Sequence, residues 1–156
     1  SGGPLLDLTG RVVGINTAIA SNAQNIGFAL PINFAKKDIE DVKKFSRIKT
    51  PFLGIRYIII TPDIQERYKL KSSYGALISK GPNGETAILE KSPAYKLGIR
   101  EGDIILEFDN KKIDSSNTLA DMIAKKSVGE MIPLKILKNN KETKLFLLLE
   151  EIPANL

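Results

Sequence analysis

The stretch from Ser92 to Phe108 constrains the fold more than any other part of the sequence. It reads Ser-Pro-Ala, then Leu-Gly-Ile, then Glu-Gly-Asp-Ile-Ile-Leu. Ser92 can cap a helix, and Pro93 suits a first helical position, where φ is fixed and no N–H partner is needed. Gly98 suits a left-handed helix end. A tight turn and an apolar strand at 104–108 should follow, so we expect a compact centre with the flanking stretches packed around it.

The composition excludes several kinds of site. The chain has 156 residues, of which 42% are hydrophobic and 26% are charged, and it contains no cysteine and no histidine. Disulfides, a cysteine nucleophile and a zinc site of cysteine and histidine are therefore excluded. A Ser-His-Asp triad cannot be completed within this chain. We expect no metal site and no cofactor.

The basic charge does not indicate a nucleic-acid site. The net charge is 23 − 18 = +5, but the lysines occur as scattered pairs among acidic residues and there is no tryptophan. Solvated surface lysines explain such a pattern better than nucleic-acid binding. No apolar run is long enough to span a bilayer.

The motifs of the central stretch resemble the middle of a bacterial PDZ domain, most closely those attached to HtrA/Deg serine proteases. The resemblance extends from about Phe52 to Glu150. It implies a mainly β fold with helices (α+β), a PDZ-like β barrel or sandwich capped by helices. The alternative is an unrelated small β domain with the same cap and turn chemistry. Local patterns add a helix from Thr61-Pro62 to Tyr68, strands at 75–80 and 86–90, and a hairpin of 131–138 and 142–149.

Phe52-Leu53-Gly54-Ile55 resembles the carboxylate-binding loop of PDZ domains. A glycine lets the backbone turn so that successive N–H groups form a nest for an anion. We expect the amides of Leu53, Gly54 and Ile55 to donate to the terminal carboxylate of a peptide. A tight turn into a strand, with nothing bound, remains the alternative.

Two further elements should form the walls of a peptide groove. The strand that continues through Arg56 and Tyr57 to Ile60 has an edge that, in the family, receives the peptide as an added strand. Its alternation puts one row of side chains toward the core and the other outward, but the sequence does not say which. A helix from a cap at Ser115 or Ser116 to Lys126 should form the other wall. Candidate pocket residues on it are Leu119, Met122 and Ile123, although packing in the core is the more ordinary role for each. An apolar C-terminal side chain is the preferred ligand.

The first third of the chain resembles the end of an HtrA-type protease domain. Strands are expected at 4–8, 11–19 and 25–30, and a helix at 33–45 with Asn33 as its cap. The predicted organisation is a protease-domain remnant at 1–46, a linker at 47–51, a PDZ domain at 52–150 and a tail at 151–156.

Ser1-Gly2-Gly3-Pro4-Leu5 matches the motif that carries the family nucleophile, with Ser1 at the nucleophile position. The resemblance assigns the oxyanion and specificity pocket to Asn16, Thr17, Ala18, Ile19 and Gly27. A serine needs an adjacent base, and the chain offers Ser1 no histidine. A role of its own α-amine as base, as in N-terminal-nucleophile hydrolases, is the remaining enzymatic alternative.

These features predict the C-terminal part of an HtrA-like serine endopeptidase, inactive by itself, whose PDZ domain binds protein C-termini or unfolded polypeptide. A peptide-binding scaffold from a protein without protease activity is the alternative. The resemblance also implies a periplasmic or cell-envelope location and a homo-oligomer, with a trimer expected for the intact family member. We expect no nucleic-acid partner.

Overall fold

The computed structural model describes residues 1–19 and 26–153. The chain divides into two compact units, Ser1–Lys49 and Thr50–Leu156. The division falls inside the stretch 47–51 that the sequence predicts as a linker. Of the predicted tail, 154–156 lie outside the described residues.

The first unit is an antiparallel sheet followed by a helix. Its strands are β1 (Pro4–Leu6), β2 (Val12–Ile19) and β3 (Gly27–Pro31), in the spatial order β1-β2-β3. The β1–β2 hairpin is confirmed, because the carboxylate of Asp7 holds its turn by accepting from the N–H of Thr9 at 2.9 Å and the N–H of Arg11 at 3.0 Å. The strand predicted at 25–30 corresponds to β3, which ends one residue later than predicted, at Pro31. Asn25 lies outside the described residues.

Helix α1 (Ile32–Phe45) follows β3 directly. The prediction that Asn33 caps this helix is wrong, because Pro31 takes the capping position with φ −56° and Asn33 is already helical. The helix ends at Ser46, whose φ of 58° is left-handed and whose N–H donates to Val42.

A buried carboxylate ties α1 to the segment after it. The Oδ2 of Asp41 accepts from the Nζ of Lys37 at 2.9 Å and from the N–H of Lys49 at 3.2 Å. The hydrogen bond from Lys37 is the main reason that the pKa of Asp41 is lowered. This contact fixes the chain as it leaves the first unit.

The second unit contains a five-strand path in the order β10-β9-β7-β6-β5, with β8 paired to β7, and a two-stranded sheet of β4 and β11. Its strands are β4 (Pro51–Phe52), β5 (Tyr57–Ile59), β6 (Ala76–Ile78), β7 (Ile104–Phe108), β8 (Lys111–Lys112), β9 (Met131–Lys138), β10 (Lys141–Leu148) and β11 (Glu150–Glu151). Its helices are α2 (Pro62–Tyr68), α3 (Pro93–Lys96) and α4 (Leu119–Ala124).

The central stretch folds as the sequence predicts. The Oγ of Ser92 accepts from the N–H of Tyr95 at 3.2 Å, and Pro93 opens α3. Gly98 has φ 72°, and Ile99 folds back until its side chain is fully buried. Strand β7 then lies in the middle of the sheet, and four of its five residues are buried.

The core of the second unit has two parts. The larger cluster joins β6, β7, β9 and β10 to α3 and α4, with Phe108, Leu134 and Leu147 among its fully buried side chains. The smaller cluster, on the other face of the sheet, is formed by Ile60, Leu77, Ile104 and Leu106. Full burial of a Leu, Ile or Phe side chain contributes about 1.5–3 kcal/mol relative to exposure, so the larger cluster dominates the stability of this unit.

Two predicted elements differ from the structure. The strand expected at 86–90 is reduced to a single bridge between Ile55 and Ile88. The helix expected from Ser115 or Ser116 begins later, because the carboxylate of Asp114 accepts from the N–H groups of Ser116 and Asn117, both at 2.9 Å, and holds them in a turn. Thr118 is the actual cap, accepting from the N–H of Asp121.

The start of α2 and the turn of the last hairpin are confirmed, whereas α4 ends at Ala124 rather than Lys126 and β6 is limited to Ala76–Ile78. Thr61 caps α2 by accepting from the N–H of Ile64. The β9–β10 hairpin turns at Asn139 and Asn140, which both have positive φ (49° and 62°). Such a pair suits a two-residue hairpin turn whose twist matches the strands.

Candidate functional site

The loop between β4 and β5 requires glycine at its centre. Phe52, at the end of β4, is paired with Glu150 of β11. Gly54 has φ +78°, and a Cβ at this position would lie 2.2 Å from the Cβ of Ser92 and 3.0 Å from the Cζ of Phe52. The loop lies so close to the start of α3 that no side chain fits at this position.

The hydrogen bonds that hold the loop involve its carbonyl groups rather than its N–H groups. The carbonyl of Leu53 accepts from the N–H of Ala94 at 3.1 Å, and the carbonyl of Gly54 accepts from the N–H of Leu89 at 2.9 Å and the Oγ of Ser92 at 3.4 Å. Within the described part of the chain, no hydrogen bond uses the N–H groups of Leu53, Gly54 or Ile55. Three successive N–H groups of this kind can surround one anionic acceptor.

Strand β5 lies at the edge of its sheet. Toward β6, the carbonyl of Arg56 accepts from the N–H of Ser79 and the N–H of Ile60 donates to Gly75. In an antiparallel pair the residues alternate in the direction of their hydrogen bonds. Tyr57 and Ile59 therefore direct their N–H and C=O groups away from β6, where an added strand can pair with them.

A groove of about 410 Å³ runs beside this edge. The phenol oxygen of Tyr57 accepts from the N–H of Ala120 at 3.0 Å, which joins β5 to the start of α4. The side chains of Ile55, Tyr57 and Ile59 pack against the larger core cluster, which identifies the row on this face. The groove is lined by Thr50, Pro51, Phe52, Leu53, Gly54, Ile55, Arg56, Tyr57, Leu89, Ala120, Ile123 and Ala124.

The structure divides the three candidate residues on α4. Ile123 lines the groove, whereas Leu119 is fully buried and Met122 is 8% exposed, and both belong to the core. The groove face of α4 instead includes Ala120 and Ala124, which sequence reasoning missed. Their spacing of i, i+3 and i+4 with Ile123 was the available signal, but small alanines are not conspicuous as pocket residues.

The residues predicted for catalysis lie on the sheet of the first unit. Ser1 is exposed, and its side chain makes no hydrogen bond in the described part of the chain. The N–H of Gly2 donates to the carbonyl of Asn16 at 2.7 Å, and the N–H of Asn16 donates to the carbonyl of Gly3 at 2.9 Å. The start of the chain therefore runs beside β2, next to the predicted pocket segment.

The remaining predicted pocket residues are close together on β2 and β3. Thr17 and Ala18 are exposed, and the hydroxyl of Thr17 donates to the carbonyl of Phe28 at 3.1 Å. Ile19 is paired in register with Gly27, which is also exposed. The side chain of Ile19 lies outside the described part of the structure.

Other kinds of site find little support in the residues that the structure describes. Among 1–19 and 26–153, no three histidine, cysteine or acidic residues group as metal ligands. A search of the same residues finds no helix with the length and apolar character needed to cross a membrane.

A glycine-centred loop with unused amides, an edge strand and a groove beside a short helix lie together in the second unit. Residues 51–149 match the PDZ domain family, and the chain belongs to that family. The match spans nearly all of the second unit.

The whole chain is also similar to longer proteases. It is 34% identical over 157 residues to the "probable periplasmic serine endoprotease DegP-like" of Chlamydia muridarum, and 36% identical over 148 residues to the protein so named in Rickettsia prowazekii. These alignments cover 99% and 93% of this chain but only 30% and 28% of the relatives. The chain thus spans about a third of the length of these relatives.

Solved structures of the same group resemble the fold. The "HtrA-type protease AlgW with decapeptide" has a TM-score of 0.75 at 27% identity, covering 99% of this chain and 46% of that one. The serine endoprotease from Yersinia pestis has a TM-score of 0.59 at 25% identity, covering 98% and 48%. The similarity to HtrA proteases that the sequence motifs indicate is confirmed.

Proposed function

We propose that the second unit binds the C-terminal end of a protein chain by adding it as a strand to β5. The three unused amides of Leu53, Gly54 and Ile55 carry this proposal, because they would receive the terminal carboxylate. The open edge at Tyr57 and Ile59 would then pair with the main chain of the ligand.

The groove favours an apolar side chain at the end of the ligand. Leu53, Leu89 and Ile123 contribute branched apolar side chains, and Ala120 and Ala124 leave room between β5 and α4. A charged terminal side chain would lose hydration among these apolar side chains, whereas an apolar one gains from burial.

The intact protein is proposed to be a serine endopeptidase of the HtrA type, in the periplasm or cell envelope. Ser1 would be its nucleophile, and Asn16–Ile19 with Gly27 would line the oxyanion and specificity pocket. Similarity over nearly the whole chain to proteases with such names supports this assignment. We propose that a homo-oligomer, a trimer by family resemblance, is the working form.

The chain itself is proposed to be proteolytically inactive. A serine hydroxyl is a weak nucleophile without an adjacent base, and this sequence contains no histidine. Incubation with casein should give no cleavage. Cleavage that disappears in Ser1→Ala would contradict the proposal and would favour the α-amine as base.

Peptide binding can be tested with matched ligands that end in a free carboxylate or in an amide. We expect fluorescence anisotropy to detect binding only of the peptide with a free carboxylate, when its terminal residue is apolar. Ala124→Trp fills the groove from an exposed position, and it should abolish binding. Lys125→Trp adds the same bulk outside the groove lining and is the control.

Equal binding of amidated and free peptides would contradict the role of the loop. Equal loss in the Ala124 and Lys125 variants would contradict the position of the groove. Replacement of Gly54 is a poorer test of binding, because the close contact with Ser92 also makes it a test of folding.

A further inference from the structure

A second hollow, of about 590 Å³, lies beside β5 and the loop after β6. Arg56 and Lys80 are the only charged residues among the described residues that line it, and both are exposed. The described lining consists of Ile55, Arg56, Tyr57, Ile58, Tyr68, Ser79, Lys80, Gly81 and Pro82. The hollow therefore has two cations and no carboxylate in its described lining.

The two hollows receive opposite rows of side chains from the same strand. Both are lined by Ile55, Arg56 and Tyr57. The row of Ile55, Tyr57 and Ile59 packs toward the larger cluster, whereas Ile60, of the other row, belongs to the smaller cluster. Successive side chains of a strand point to opposite faces. A strand added to β5 would thus place alternate side chains beside the groove and beside the second hollow.

The carboxylate loop sets the register of such a strand. Phe52, Leu53 and Gly54 line the groove, but they are not part of the second hollow. A ligand whose carboxylate lies on the loop therefore has its terminal side chain in the groove. The residues one and three positions before the terminal one then lie on the opposite face of the added strand, beside the hollow that Arg56 and Lys80 line.

Both cations remain available for a ligand. The side chain of Arg56 makes no hydrogen bond or ion pair within the described part of the chain. The Nζ of Lys80 lies 3.8 Å from the Oε2 of Glu101, and these side chains are 60% and 52% exposed, so the pair is weak.

One carboxylate already acts on Arg56 from a distance. The pKa of Glu85 is lowered, chiefly by its own N–H and that of Asn83, with a smaller contribution from the charge of Arg56. Two hydrogen bonds from Asn83, at 3.0 and 3.3 Å, hold the Glu85 carboxylate in its loop. Within the described part of the chain, this carboxylate forms no ion pair with Arg56.

We infer that Arg56 and Lys80 make this domain selective for C-terminal peptides with acidic side chains at the first and third positions before the terminal residue. The inference rests on the proposed function, whose groove and loop it uses. Exposed ion pairs contribute about 0.2–1 kcal/mol each, so two of them correspond to roughly a 2- to 30-fold gain in affinity.

Three acetylated hexapeptides test the inference. The first is Ser-Val-Glu-Val-Glu-Leu, with glutamates at the proposed positions. The second, Ser-Glu-Val-Glu-Val-Leu, has the same composition and charge with the glutamates moved by one residue. The third carries glutamine in place of both glutamates of the first. We expect the first peptide to bind several-fold more tightly than the other two, and the difference to shrink at high salt because exposed charges are screened.

Matched variants connect this difference to the two cations. Arg56→Gln with Lys80→Gln should bring the ratio of affinities for the first and third peptides close to one. Lys111→Gln with Lys141→Gln makes the same change of charge at exposed residues outside the hollow and should keep the ratio. Glu101→Gln should increase it, because Lys80 loses its competing partner.

The outcomes separate this inference from the proposed function. Equal binding of all three peptides, with dependence on the free carboxylate, overturns the inference while the carboxylate site stands. Equal binding of the first two peptides, both tighter than the third, shows a general charge effect and also overturns it. Failure of every free peptide to bind overturns both proposals.

Discussion

Replacing Gly54 with alanine should destabilise the second unit far more than replacing Gly98. Both glycines have a left-handed backbone, with φ +78° and +72°. A Cβ at Gly98 would meet nothing within 4 Å, whereas at Gly54 it would lie 2.2 Å from the Cβ of Ser92. The comparison therefore separates backbone strain from steric conflict.

The expected magnitudes follow from these two contributions. The left-handed conformation costs a non-glycine residue roughly 1–2 kcal/mol, which is the whole effect at Gly98. Gly54→Ala adds an overpacking cost of about 1–3 kcal/mol, for a total of about 2–5 kcal/mol. Small domains are stable by about 5–15 kcal/mol, so this change removes a large share. The melting temperature should fall by roughly 10–30 °C.

Urea unfolding followed by circular dichroism measures both variants, and a double-mutant cycle tests the cause. Ser92→Gly removes the atom that a new Cβ would strike. Glycine in place of a serine cap costs a few tenths of a kcal/mol, and the lost hydrogen bond from Oγ to the Gly54 carbonyl adds to this cost. Gly54→Ala combined with Ser92→Gly should be less destabilised than the sum of the single changes. Equal losses for Gly54→Ala and Gly98→Ala, or strict additivity in the cycle, would refute the packing of the loop against α3.

Three further predictions concern single side chains. The pKa of Asp7 is lowered to about 2, first by the hydroxyl of Thr9; its stabilising effect is therefore present above pH 3.8 and lost as the pH falls through about 2. NMR titration should show this midpoint, and Thr9→Val should raise it; a midpoint near 3.8 in the unaltered chain would contradict the turn. Leu119→Ala should cost about 2–5 kcal/mol in urea unfolding, whereas Ile123→Ala should mainly weaken peptide binding; the reverse order would contradict the assignment of core and groove. Tyr57→Phe removes the acceptor for α4 and should speed amide exchange at the start of that helix, and unchanged exchange would count against the contact.

The elements that the sequence predicted well are those with local causes. Ser92, Pro93 and Gly98 each act within one helical turn, and the structure has the expected cap, start and left-handed residue. The Asn139-Asn140 turn is equally local. Such signals act between neighbours in sequence, so no knowledge of the tertiary structure is needed to read them.

Predictions that depended on choosing between neighbouring polar residues were less accurate. A helix can be capped by any of Ser115, Ser116 and Thr118. Thr118 is the cap in the structure because Asp114 accepts from the preceding N–H groups. Asn33 is a good cap in isolation, but Pro31 joins β3 to α1 without a loop.

The groove shows the limit of pattern reasoning most clearly. Leu119 and Ile123 have the same apolar character, and only the packing of α4 against the sheet decides that one is core and the other is groove. The alanines that shape the groove do so by their small size, and hydrophobic periodicity does not detect space.

The hydrogen bonds to the carbonyls of Leu53 and Gly54 have a consequence for the selectivity of the proposed recognition. The carbonyls of Leu53 and Gly54 are fastened through Ala94, Leu89 and Ser92, so we expect the loop to keep its shape when a chain end binds. Little conformational entropy is then lost on association, and this is the usual advantage of a rigid receptor. Selectivity between chain ends would then depend on how well each one fits the existing loop, rather than on how far it can change the shape of the loop. A substitution in α3, which lies outside the groove lining, would therefore alter binding by changing the shape of the loop.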